Sequence, residues 1–269
     1  MTDDNRRAMN VERFSGFADT YDRYRPTPPA VFIDILTQLA GVAKPARVVD
    51  LGCGTGLSTR IWADRAVEVI GIEPGEDMRR EAKAHTTAAN IHYQHGFGQD
   101  TGLPEACADI VTISQALHWM EPGPTLAEIA RILRPGGVFA AIDSDWPPVL
   151  NWEAEAVYNA FMDRAVELEA RYFSARGGKR WAKHEHLDRI TASGHFRYTR
   201  EFVLHSVETG NAERLIGLAL SQGSVETVIK HVPADLEPLI AGLREAVQRL
   251  LGDDPQPWYF SYRVRMGVK

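Results

Sequence analysis

The chain has 269 residues, 44% hydrophobic and 25% charged, the composition of a globular protein with enough apolar side chains for a substantial core. Its formal net charge of −6 gives no general attraction to phosphate backbones or anionic lipid, which disfavours nucleic-acid or membrane binding by the whole surface. With only two cysteines, Cys53 and Cys107, and no Cys/His cluster at zinc spacing, neither a disulfide framework nor a metal is expected.

The opening residues lack the apolar core of a signal peptide, and no apolar run approaches the length needed to cross a bilayer, so a cytoplasmic protein is expected. Pro28-Pro29 opens a helical pattern with Phe32, Ile35, Leu36 and Leu39 on one face and Gly41 at its end. From Ala46 short apolar runs alternate with helical patterns. ARVVDL precedes a helix from Leu57, VEVIGI precedes one through Met78, and IHYQ and DIVTIS follow. Strands alternating with helices predict crossovers and a mostly parallel, doubly wound α/β sheet.

Thr125 and Glu128 have capping-box spacing ahead of Leu126, Ile129, Ile132 and Leu133, and Pro135-Gly136-Gly137 ends that helix before VFAAI. Beyond Asp145 the rhythm changes. A long helical pattern over 151–170 carries Val157, Phe161 and Leu168, followed by a basic stretch and a second helical pattern up to Gly194. Residues 146–195 therefore read as a helical insertion within a single domain over 1–269, too long for an ordinary connection. FRYTREFVLHSV and WYFSYRVRMGV are expected as two further strands with helices between them.

The most informative stretch is VVDLGCGTGLST at 48–59. Glycine has no Cβ and tolerates positive φ, so a strand entering a glycine turn lets a ligand approach the backbone and free N–H groups closely. Gly52, Gly54 and Gly56 depart from the dinucleotide spacing, because Leu57 stands where the third fingerprint glycine belongs, and no Lys-Ser/Thr pair follows. Asp50 just before the turn would repel a pyrophosphate and suit an ammonium. Glu73, at the end of the next strand, stands where an acid binds ribose hydroxyls in nucleotide-binding units.

With YDRYRP, GIEPGEDM, GFGQDTGLP, ADIVTISQALHW and LRPGGVFAAID in order around that turn, residues 14–145 resemble the class I S-adenosylmethionine-dependent methyltransferases. The likeness is to the small-molecule branch that includes trans-aconitate-methyltransferase-like enzymes. It implies a Rossmann-like seven-stranded sheet whose last strand alone is antiparallel, and S-adenosyl-L-methionine as cofactor, released as S-adenosyl-L-homocysteine. By the same likeness Gly52, Gly54 and Gly56 pass under the methionine end and Asp50 holds its ammonium. Glu73 binds the ribose and Met78 packs near the adenine. Gly98, Gln99 and Asp100 form the adenine loop, with Gln99 in place of the usual acid, so either Gln99 or Asp100 bonds the exocyclic amine. Ser114 and Gln115 face the methionine moiety, and Tyr21 and Arg25 close over the cofactor.

Several residues carry two readings. Met78 is a ligand contact or core, and His118 is a proton acceptor or a buried hydrogen-bonded histidine. The basic run with Arg176, Arg180 and Trp181 is a solvated helix edge or a substrate lid that recognises anions. The expected activity is methyl transfer to an O or N nucleophile of a small, preferably anionic molecule, by a monomer or homodimer. The alternatives are an RNA- or protein-modifying methyltransferase and a non-catalytic cofactor-binding protein.

Overall fold

A computed structural model describes residues 18–173 and 180–269, which divide into two compact units. A sheet unit holds residues 27–144, 180–204 and 262–269, and a helical unit holds 18–26, 145–173 and 205–261. The stretch read as one insertion is thus partitioned. Its first part joins the helical unit, whereas Ile190 and the nearby Phe196 pack into the hydrophobic core of the sheet.

In the sheet unit, β1 (Arg47–Leu51), β2 (Glu68–Ile72) and β4 (Ala108–Ser114) are buried along nearly their whole length. That is why they read as short, mostly apolar runs, since helices cover both faces of a parallel sheet. With β3 (Ile91–Gln94), β5 (Leu133–Ser144), β6 (Tyr198–Gly210) and β7 (Gln256–Val268) they form one seven-stranded sheet of order β3-β2-β1-β4-β5-β7-β6. The pairs β1/β2, β1/β4, β2/β3 and β4/β5 are parallel, and β7 runs antiparallel to β5 from Val138↔Val268 to Ser144↔Tyr262. The Rossmann-like topology is the one expected. β1 lies between β2 and β4, so the strand order reverses there and a crevice opens at the carboxyl ends of these strands.

Three local expectations change. The helix α1 (Ala18–Tyr24) precedes α2 (Ala30–Leu39), which buries Phe32, Ile33 and Leu36 while Leu39 is exposed, so its apolar stripe is rotated toward Ile33 and Ala40. The short α3 (Leu57–Arg60) and α4 (Glu76–Ala84) follow β1 and β2. The helix α5 (Pro122–Ile132) starts three residues before the expected capping box, because Pro122 supplies a preformed first turn. Thr125 therefore lies inside the helix, and Glu128 accepts from Thr101 and Arg131 instead. The helix has already ended at Ile132, so Pro135-Gly136-Gly137 lies in β5 beside an irregular register with β4.

In the helical unit, α6 (Trp152–Phe173) buries Ala154, Tyr158, Phe161, Ala165 and Leu168, a stripe at helical spacing. Val157 is only half-buried. This stripe packs on α9 (Gly223–His231) and α10 (Pro233–Leu251), with α8 (Ala212–Leu220) alongside. The helix α7 (His186–Ala192) belongs to the sheet unit. Among the described residues no helix is long and apolar enough to cross a membrane, and no group of three His, Cys, Asp or Glu is placed to hold a metal ion.

Candidate functional site

The glycine turn links β1 to α3 at the crevice, and Gly52, Gly54 and Gly56 all have left-handed φ, +64°, +55° and +83°. Their surroundings differ. A Cβ at Gly52 would stand 2.8 Å from Met120 Cε, and one at Gly56 would stand 2.3 Å from Tyr93 Oη, so a side chain at either forces its neighbours to shift. A Cβ at Gly54 would meet nothing within 4 Å. The middle of the turn therefore presents bare backbone to open space, as a closely approaching ligand requires. The helix that follows has only four residues, so the turn itself is the principal feature.

Asp50 is bonded within the protein. Its carboxylate is fully buried, with Oδ2 accepting from Ser58 Oγ (2.8 Å) and Thr59 Oγ1 (2.7 Å) and Oδ1 from Thr112 Oγ1 (2.8 Å). Burial pushes its carboxyl upward while the three hydroxyls oppose the shift. Through these three hydroxyls Asp50 ties β1 to α3 and β4.

Glu73 lies at the rim, nearly buried, with Oε2 accepting from the Gly54 N–H (3.1 Å) and Oε1 from the Gly75 N–H (2.8 Å). Burial again raises its carboxyl pKa, opposed by those two N–H donors. Each oxygen accepts one described bond, and a carboxylate oxygen has a second lone pair. Cys53 is buried, its thiol pushed well up by burial, which makes it an inert filler of the turn.

The loop at 97–100 closes on itself, Phe97 N–H donating to Asp100 O (3.0 Å) and Asp100 N–H to Phe97 O (3.1 Å). Gly98 is buried at its corner, where a Cβ would be 2.6 Å from Met120 Sδ. Gln99 is half-buried and Asp100 exposed. Met78 is buried in α4, near the Gly75 backbone. One thioether, that of Met120, thus lies against both Gly52 and Gly98. Nothing in the sequence singles it out.

Ser114 and Gln115 leave β4 half-buried, and Gln115 has φ +55°. His118 follows in a 3₁₀ turn, its ring 4% exposed, with Nδ1 3.9 Å from Asp143 Oδ1 and the ring tilted against Trp119. That enclosure fits the buried-histidine reading better than that of a proton acceptor, because it leaves little of the ring open to an external substrate. Arg180 is exposed with its guanidinium carbon 5.3 Å from the Trp119 ring, and the Trp181 backbone N–H donates to His118 O (2.8 Å). Arg176 lies outside the described residues.

Tyr21 and Arg25 belong to the helical unit. The Arg25 guanidinium lies 4.8 Å from the Tyr21 ring and 4.9 Å from the Trp146 ring, and donates to Ser221 Oγ (2.9 Å) and Ser221 O (2.8 Å).

The feature that sequence reasoning missed is a charge chain built around a buried Asp143–Arg265 pair. Asp143, at the end of β5, meets Lys183 Nζ (2.8 Å) and Arg265 Nη1 (3.2 Å), and Arg265 Nε continues to Glu201 (2.8 Å). Its signal was present. Arg265, in the stretch YRVRM of β7, is buried and requires a buried acid partner.

Residues 49–141 match the family model described as a methyltransferase domain. An uncharacterized methyltransferase of Mycobacterium tuberculosis is 33% identical over 153 residues, 56% of this chain and 59% of that protein. A malonyl-acyl-carrier-protein O-methyltransferase of Pseudescherichia vulneris is 30% identical over 155 residues, 56% of this chain and 60% of that protein. The chain thus spans about three-fifths of the length of these curated relatives. A solved candidate type II methyltransferase from Anaeromyxobacter dehalogenans shares the fold at a TM-score of 0.63 and 24% identity, covering 91% of this chain and 98% of that one.

Proposed function

We propose, from the premise that residues 49–141 belong to the methyltransferase-domain family, that this chain moves a methyl group from S-adenosylmethionine to an oxygen or nitrogen of a small acidic molecule. The observation that carries the proposal is the turn of three left-handed glycines whose middle member, Gly54, faces open space at the strand-order reversal. Bound there, the cofactor supplies a sulfonium methyl and leaves as S-adenosylhomocysteine.

The residues divide the work. The bare backbone at Gly54 takes the amino-acid end, with Ser114 and Gln115 beyond β4. Glu73 keeps its two N–H bonds and offers its remaining lone pairs to the ribose hydroxyls. Met78 and Met120 give the adenine an apolar, polarizable wall, and the half-buried Gln99, rather than the exposed Asp100, reaches its edge. Asp50 holds the turn in shape from behind.

Methyl transfer is an in-line displacement, so the protein's main contribution is alignment, worth about 7–11 kcal/mol at best. A carboxylate acceptor is ionised at neutral pH and needs no base, which agrees with an enclosed His118. Arg180, exposed over Trp119, carries a guanidinium that matches a carboxylate in two bonds, and with Trp181 it forms the acid-recognising edge. The oxygen acceptor in one relative's name points the same way.

The test is calorimetric titration with S-adenosylhomocysteine, followed by methyl transfer from labelled cofactor to a panel of carboxylic acids, phenols and amines. Binding together with transfer to an acid is expected. Absence of binding overturns the cofactor site, and transfer confined to neutral acceptors overturns the acid preference.

A further inference from the structure

Gln115 is held from two sides in a conformation that L residues rarely adopt. Among the described residues only Ala106 and Gln115 are non-glycine residues with positive φ. The Gln115 N–H donates to Ile142 O (2.9 Å), continuing the β4/β5 ladder, while its side-chain Oε1 accepts from Lys183 Nζ (2.9 Å). Lys183 comes from a distant stretch of chain, just ahead of α7, whose Ile190 is anchored in the sheet core. Its ammonium also meets Asp143 Oδ1 at 2.8 Å.

This contact differs from a surface ion pair. The Asp143 side chain is 5% exposed and is further engaged by Arg265, itself 4% exposed, which continues to Glu201 and on to Arg263 (3.1 Å). Cation and anion alternate through Lys183, Asp143, Arg265, Glu201 and Arg263. A buried carboxylate fixes its cations geometrically, because leaving its bonds unmade is costly. Besides meeting Asp143, the Lys183 ammonium reaches Gln115, so the buried acid fixes the cation that holds this amide.

We propose that Lys183 is a positioning residue for methyl transfer: anchored on Asp143, it holds Gln115 in the left-handed conformation that presents Gln115 to the amino-acid end of the cofactor. The inference rests on the reading of the crevice as an S-adenosylmethionine site. It gives a segment expected to serve only the acceptor a role in cofactor binding.

A double-mutant cycle tests it, with Lys183→Met, Gln115→Leu and the pair titrated with S-adenosylhomocysteine and assayed for KM and kcat. Lys183→Met is expected to weaken binding about tenfold and to raise KM for the cofactor with kcat little changed. In the Gln115→Leu background it should add nothing, and Lys183→Arg should restore most of the affinity. Should Lys183→Met fail to fold, Lys183→Gln, which keeps a donor, takes its place in the cycle. Unchanged affinity in the single variant, or the same loss with and without Gln115, overturns the role of Lys183 and leaves the site reading intact. A wild-type chain that binds no thioether product overturns both.

Discussion

The three glycines of the turn respond differently to the same added methyl group, and the difference follows from their surroundings. In Gly54→Ala the new Cβ enters open space, so the cost is the left-handed backbone alone, about 1–2 kcal/mol. In Gly56→Ala the same strain is joined by a Cβ placed 2.3 Å from Tyr93 Oη and 2.9 Å from Cζ. Overpacking adds about 1–3 kcal/mol, for a total of about 2–5 kcal/mol. At about 2–4 °C per kcal/mol for a chain of this size, Tm should fall by about 2–8 °C for Gly54→Ala and about 4–20 °C for Gly56→Ala. Tyr93→Phe added to Gly56→Ala should recover part of the loss, because it removes the nearest atom. Binding should separate the two in the opposite order. S-adenosylhomocysteine at a hundred times its Kd stabilises a binding chain by about 2.7 kcal/mol. That shift should persist in folded Gly56→Ala and vanish in Gly54→Ala, whose methyl occupies the approach to the backbone. Thermal melts with and without the thioether measure both quantities. The reasoning fails if Gly54→Ala keeps the full ligand-induced shift, or if Gly56→Ala melts no lower than Gly54→Ala.

Asp50→Ala strips a shared acceptor from three buried hydroxyls and should cost about 3 kcal/mol or more in urea unfolding, with cofactor affinity falling along with stability; a variant as stable as wild type would return Asp50 to the role of a ligand contact. His118→Gln should leave turnover of a carboxylic acid within about tenfold of wild type, and a loss of several hundredfold in initial-rate assays with cofactor affinity intact would establish it as the base after all. His186 is buried at the start of α7, and burial, followed by Arg265, Arg189 and Lys183 against the opposing Asp143, pushes its pKa down from 6.5 to about 4. Its stabilising contribution is complete above pH 6.5 and lost as pH falls through about 4, up to about 3 kcal/mol in all. His186→Asn should lack that part of the pH slope in melts between pH 7 and 4, and a slope identical to wild type would contradict the assignment.

Where local rules govern, the chain was readable. β1, β2 and β4 announced themselves because strands buried on both faces are mostly apolar, and the glycine alternation at 52–56 named the turn because left-handed backbone has few other tenants. The same rules failed where a partner from elsewhere intervened. Thr125 and Glu128 have capping spacing, yet Thr101 and Arg131 claim Glu128, and Pro122 starts the helix earlier. Leu39 fits the helical stripe of α2 but lies past its buried edge.

By itself the order of residues determined the alternation of strand and helix, the place where the chain turns beneath a ligand, and the kin this chain keeps. Those follow from periodicity, backbone preference and motif, all properties of neighbours along the chain. Only the tertiary structure decided that Asp50 serves the protein's own hydroxyls, that His118 is enclosed beside Asp143, and that Lys183 crosses to Gln115. A side chain's role depends on which donors and charges surround it. Residues 50 and 112, or 115 and 183, become neighbours only once the sheet has closed its order and each buried polar group has found its partner.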